Sequence, residues 1–121
     1  MNADELTAVY RNERRTALLS ELPDAFYAKA KLLLHGLLEA RNAERAKDPY
    51  SLMADGTAAA YSRAAGVYRD IVSIRADKVL WAASYATVMT DTPEPTGLDP
   101  RERDPYRVIR NDLLTYKKAA Q

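Results

Sequence analysis

Residues 68–86, YRDIVSIRADKVLWAASYA, read as one helix that is apolar around most of its circumference yet carries two cations inside that apolar surface. At about 100° per residue, Tyr68, Val72, Arg75, Val79, Ala82, Ala83 and Ala86 fall on one stripe. Val67, Ile71, Ile74, Lys78, Trp81, Tyr85 and Val88 fall on a second stripe beside it. Only a narrow band around Arg69, Ser73, Ala76, Ser84 and Thr87 suits water, and Leu80 intrudes there. A surface helix of a globular domain needs one apolar face. A helix with two predicts cover from its own domain on one side and from another chain on the other, which is the pattern of an assembly protein.

The two cations sharpen that expectation. The helical neighbours of Arg75 at three and four residues are Ile71, Val72, Lys78 and Val79, so no local carboxylate serves it. Lys78 is surrounded by Ile74, Arg75, Trp81 and Ala82. If this face is buried, Arg75 needs a carboxylate from another helix or another chain. Asp24 and Glu21, flanking the helix start at Pro23, are the favoured partners. The alternative is that both cations snorkel to water at the rim of the domain.

The rest of the chain reads as helices and connections. A first helix runs from about Asp4 to Leu19, with Leu6, Val9, Tyr10, Ala17 and Leu18 as a loose apolar stripe and Glu5 in its first turn. Pro23 opens a second helix that runs to Lys47 and carries Phe26, Ala30, Leu33, Leu34, Leu37 and Leu38 at the helical period. Gly36 within it is a weak point, or a place for a neighbouring helix to come close. After Asp48-Pro49 the long third helix begins near Ser51 or Thr57 and ends near Thr90. A linker, about 91–99, holds Pro93, Pro95 and Gly97. The last helix begins at Asp99-Pro100-Arg101-Glu102, a cap, a first-turn proline and a carboxylate three residues after the cap. Asp104-Pro105 offers a competing start. The fold class expected is all-α, a four- to five-helix bundle forming one domain over 1–121.

Several chemistries are excluded or unsupported. There is no cysteine, which removes disulfides, thiolate chemistry and Cys-based zinc sites. His35 is the single histidine, and it sits among Leu33, Leu34, Leu37 and Leu38 as a residue at the edge of an apolar face rather than a general base. No P-loop, GxGxxG, HExxH or GxSxG pattern occurs, so neither an enzyme nor a cofactor is expected. No long uncharged apolar run or signal-peptide pattern is present, and a cytoplasmic location is expected, or a nuclear one in a eukaryote. The net charge of +1 supplies no global field for nucleic acid. From Arg101 onward there are six basic residues, but Glu102, Asp104 and Asp112 are interspersed among them. A small helical nucleic-acid-binding or regulatory bundle is the alternative reading. Tyrosine dominates the aromatics, with eight Tyr against one Phe and one Trp, and Tyr and Trp favour interfaces.

Taken in order, four segments resemble the α-helical A domain of the GINS family of DNA-replication factors. They are Tyr10-Arg11-Asn12-Glu13-Arg14-Arg15, Leu22-Pro23-Asp24-Ala25-Phe26-Tyr27, Arg75-Ala76-Asp77-Lys78-Val79-Leu80 and Leu98-Asp99-Pro100-Arg101-Glu102-Arg103. The resemblance spans nearly the whole chain through short motifs whose order and spacing carry it. It implies a non-enzymatic scaffold that assembles with other GINS subunits into a homo- or heterotetramer. That scaffold joins the MCM replicative helicase to a RecJ-like or Cdc-type partner, touching DNA mainly indirectly and no membrane. In an archaeal cell it would act at replication forks. The small β-rich B domain that usually accompanies the A domain has no counterpart in these residues. The interface residues expected are Phe26, Tyr27, Ile74, Lys78, Trp81 and Tyr85, with Arg75 in a buried pair with Asp24 or Glu21.

Overall fold

Four helices make up the regular structure of a computed structural model that describes residues 1–121: α1 (Ala3–Arg15), α2 (Phe26–Lys47), α3 (Leu52–Val88) and α4 (Pro100–Ala120). No strand forms, and the chain is all-α. No helix is long and apolar enough to cross a membrane. The chain divides into two compact units, and α1 and α3 each contribute a segment to both.

The first unit comprises residues 1–11 and 23–71. Asn2 opens α1, its side-chain oxygen accepting the free N–H of Glu5 at 2.8 Å. α2 starts three residues later than Pro23 because Ala25 adopts a left-handed conformation, φ 53°, while the Phe26 N–H closes a turn onto the Pro23 carbonyl. Leu6, Val9, Phe26, Ala30, Ala54, Ala64 and Ile71 are its buried apolar residues. Phe26, Tyr27 and Tyr68 form an aromatic triangle with ring centroids 5.3 to 6.5 Å apart. Of the two starts considered for α3, the earlier is used: the Ser51 hydroxyl accepts the Ala54 N–H as a cap. A Cβ at Gly36 would have nothing within 4 Å, so this glycine weakens α2 without admitting a neighbour.

The second unit comprises residues 12–22 and 72–121. Its core is Val79, Ala83, Ala86, Leu98 and Tyr106, against which Leu19, Ala82 and Ile109 pack. α4 begins at the first of its two possible starts. Asp99 and Glu102 form a reciprocal capping box around Pro100, and Pro105 is carried inside the helix. α1 ends at Arg15 rather than Leu19. The close approach of the linker to residues 19–20 requires Gly97, where a Cβ would meet the Leu19 carbonyl oxygen at 2.5 Å and that of Ser20 at 2.9 Å.

Candidate functional site

Arg75 lies on the buried stripe of α3 at 1% exposure, where a guanidinium can persist only with its donors occupied. All five are. The Nε–H donates to Glu102 Oε2 at 2.7 Å, and one terminal nitrogen donates to Glu102 Oε1 at 2.7 Å and to the Gly97 carbonyl at 2.8 Å. The other donates to Glu13 Oε1 at 2.5 Å and to the Ser20 carbonyl at 2.9 Å. Glu102 is therefore held in the bidentate geometry that suits arginine to carboxylates. The same Glu102 Oε1 accepts the Asp99 N–H at 2.9 Å, so one carboxylate both caps α4 and neutralises α3.

Lys78, one turn further along α3, completes the set. Its ammonium donates to Glu13 Oε2 at 2.5 Å, to the Glu13 carbonyl at 2.6 Å and to the Leu18 carbonyl at 3.0 Å. A cation on the Glu13 carbonyl, in the last turn of α1, satisfies a group that has no partner within the helix. Glu13 also accepts the hydroxyl and the N–H of Ser20. These bonds turn the chain away from a helical path after Arg15, which is why α1 stops short. Two cations and two carboxylates leave the cluster formally neutral, and no buried side-chain polar atom lacks a partner. Burial pushes the Glu13 carboxyl upward, but hydrogen bonds from Lys78, Ser20 and Arg75 outweigh it and hold it below its ordinary 4.5. For Arg75, burial is likewise outweighed, here by Glu102 and Glu13, and the guanidinium is held further above its ordinary value.

The sequence correctly places Arg75 in a buried pair but misplaces its partners. Asp24 and Glu21 are both exposed and take no part, because Glu13 and Glu102 already use the carboxylate-accepting capacity of the site. The signal for the true partners is present in the sequence. Glu13 falls on the Leu6–Val9 stripe of α1 and Glu102 on the Tyr106–Ile109 stripe of α4, each a carboxylate on an otherwise buried face.

Beside this cluster the second unit carries an open apolar groove of about 380 Å³. Leu18, Leu19, Trp81, Ala82, Tyr85 and Tyr106 line it from three segments, and Pro93, Pro95 and Gly97 form its linker wall. The Trp81 and Tyr85 rings stack at 5.2 Å with their planes 11° apart, and they are 56% and 42% exposed. Val88 and Met89 continue the exposed apolar surface. The linker wall is tied to α4. The Glu94 carboxylate accepts from Arg107 Nε at 2.6 Å and from the Arg107 terminal nitrogen at 3.3 Å, and Arg103 lies 3.9 Å away.

Of the six expected interface residues, Trp81 and Tyr85 are on the surface. Phe26 is corrected: it is fully buried in the core of the first unit and offers nothing to a second chain. Lys78 is also corrected, since its ammonium is committed to α1 within the chain. Tyr27 and Ile74 are half-buried. His35 is exposed and pairs with Glu39 at 2.9 Å. No group of His, Cys, Asp or Glu is arranged to hold a metal ion. A scan against protein-family models, a search of curated proteins and a search of solved structures each find no match to this chain.

Proposed function

We propose that this chain is a non-enzymatic scaffold subunit of the GINS type, assembling with companion subunits and bridging the MCM helicase and a RecJ-like or Cdc-type partner in DNA replication. One observation carries the reading. Three of the four segments on which the resemblance rests supply the members of a single buried cluster: Glu13 from the first, Arg75 and Lys78 from the third, Glu102 from the fourth. Segments far apart in the chain thus act as one structural device, which fits a module whose rigidity presents a surface. The exposed Trp81–Tyr85 stack is the surface we assign to assembly, since aromatic anchors dominate the energetics of protein interfaces.

The test is co-expression with a companion GINS subunit, followed by light scattering across a dilution series at low and high salt, and by retention of MCM and the RecJ-like protein. A stable heteromeric species that retains either partner is expected. A strict monomer that leaves every companion in the flow-through would refute the assignment.

A further inference from the structure

The groove and the arginines next to its linker wall form one composite surface. Inside, the groove is apolar and aromatic. Next to the linker wall, Arg103 and Arg107 converge on the carboxylate of Glu94, and the positive potential there is strengthened by Arg110, whose guanidinium lies over the Tyr106 ring at 5.6 Å. Tyr106 itself lines the groove, so the cationic and apolar halves meet at one residue. Glu94 and Asp104, both acting on Arg107, stand against three guanidiniums, so the patch keeps a net positive charge beside an uncovered apolar cleft. Glu94 sits between Pro93 and Pro95, which makes it an acidic residue in a proline-stiffened segment already docked on these arginines.

We infer that this surface binds an acidic peptide segment of a partner protein, its apolar side chain entering the Trp81–Tyr85 groove and its carboxylates displacing Glu94 from Arg107 and Arg103. The inference rests on the scaffold reading and names the chemistry of its partner. Charge complementarity selects the occupant: arginine forks match carboxylates bidentately, as the Glu94 contact already shows. A nucleic-acid strand fits less well, because the groove beside these arginines is lined by Leu18, Leu19, Pro93 and Pro95 as well as by rings, which suits an aliphatic side chain better than a base. In this arrangement Glu94 is an internal competitor for Arg107, displaced when a more acidic segment takes its place.

The test is selection on the immobilised full chain from a random twelve-residue peptide library displayed on phage. Enriched sequences are expected to combine several Asp or Glu with an aromatic or branched aliphatic residue. A synthetic peptide of the enriched sequence should shift the emission of Trp81, the sole tryptophan in the chain. Its affinity should fall with salt, rise about two- to fivefold in Glu94→Gln, and fall about tenfold in Arg107→Glu. Enrichment of basic or neutral peptides, no enrichment, or an unchanged affinity in both variants overturns the inference. So does binding of a single-stranded oligonucleotide that competes for Arg107. If the library yields no acidic peptide while companion subunits are still retained, the scaffold reading stands and this one falls. If companions are lost and acidic peptides are still selected, the reverse holds.

Discussion

At Arg75 one side chain meets five acceptors with five donors, and nothing smaller can take its place. Lysine offers three donors, so Arg75→Lys loses at least two of the five buried bonds and the bidentate hold on Glu102, and should lower stability by about 2–4 kcal/mol. Urea denaturation at neutral pH measures this, and an unchanged midpoint would mean that water enters the site freely. Glu13→Gln leaves Lys78 against a neutral amide and Arg75 with Glu102 alone, and should cost about 3 kcal/mol. The pH dependence is fixed in sign. Because the Glu13 carboxyl titrates lower in the folded chain than its usual 4.5, its contribution is complete above that value and disappears as the pH falls through the folded value. Glu13→Gln should therefore lose stability at pH 7 and show a flatter denaturation midpoint between pH 5 and pH 3 than the parent. A gap that stays constant with pH would exclude the charge as the cause.

Among the elements, the helix ends carry most of the information. Ala25 holds a left-handed conformation that glycine adopts without penalty. Ala25→Gly should raise the melting temperature by the equivalent of about 0.5–1 kcal/mol, and a lowered melting temperature would show that the alanine methyl packs. Gly97→Ala is the opposite case. Its Cβ would meet backbone atoms of Leu19 and Ser20 that cannot rotate away, so a loss of about 2 kcal/mol is expected in the same measurement. Helix existence, the all-α class and the cap at Asp99 were legible because period and capping chemistry are local. The end of α1 was not. Apolar residues run on to Leu19, and only the contacts of Glu13 and Lys78, 65 residues apart, turn the chain at Arg15. The partners of Arg75 were missed for a related reason. Glu102 was read as a capping residue, and a single carboxylate serving two roles is invisible when each helix is read alone.

For the molecule as a whole, the two apolar stripes of the long helix are both buried in part and exposed in part. Arg75, Val79, Ala83 and Ala86 of the first stripe are buried and Val72 is exposed, while the second is buried at Ile71 and exposed at Trp81, Tyr85 and Val88 in the single chain. That division predicts how Trp81→Ala behaves. It should change unfolding free energy by less than about 1 kcal/mol, since exposed side chains contribute little to folding, yet weaken association with a companion subunit in light scattering. A variant with unchanged mass and a markedly lower melting temperature would make Trp81 a folding residue instead.

The Arg75 cluster has a consequence for time as well as for stability. The bonds that Arg75 and Lys78 make link residues 22 to 65 positions apart, so none of these can form while the helices are still local structures. Desolvating four charges is favourable only when all of them arrive, and the cluster should close late, after the barrier has been crossed. Disrupting it would then leave the refolding rate nearly unchanged and accelerate unfolding. The lifetime of the native state, more than the ease of reaching it, is what this group of charges sets.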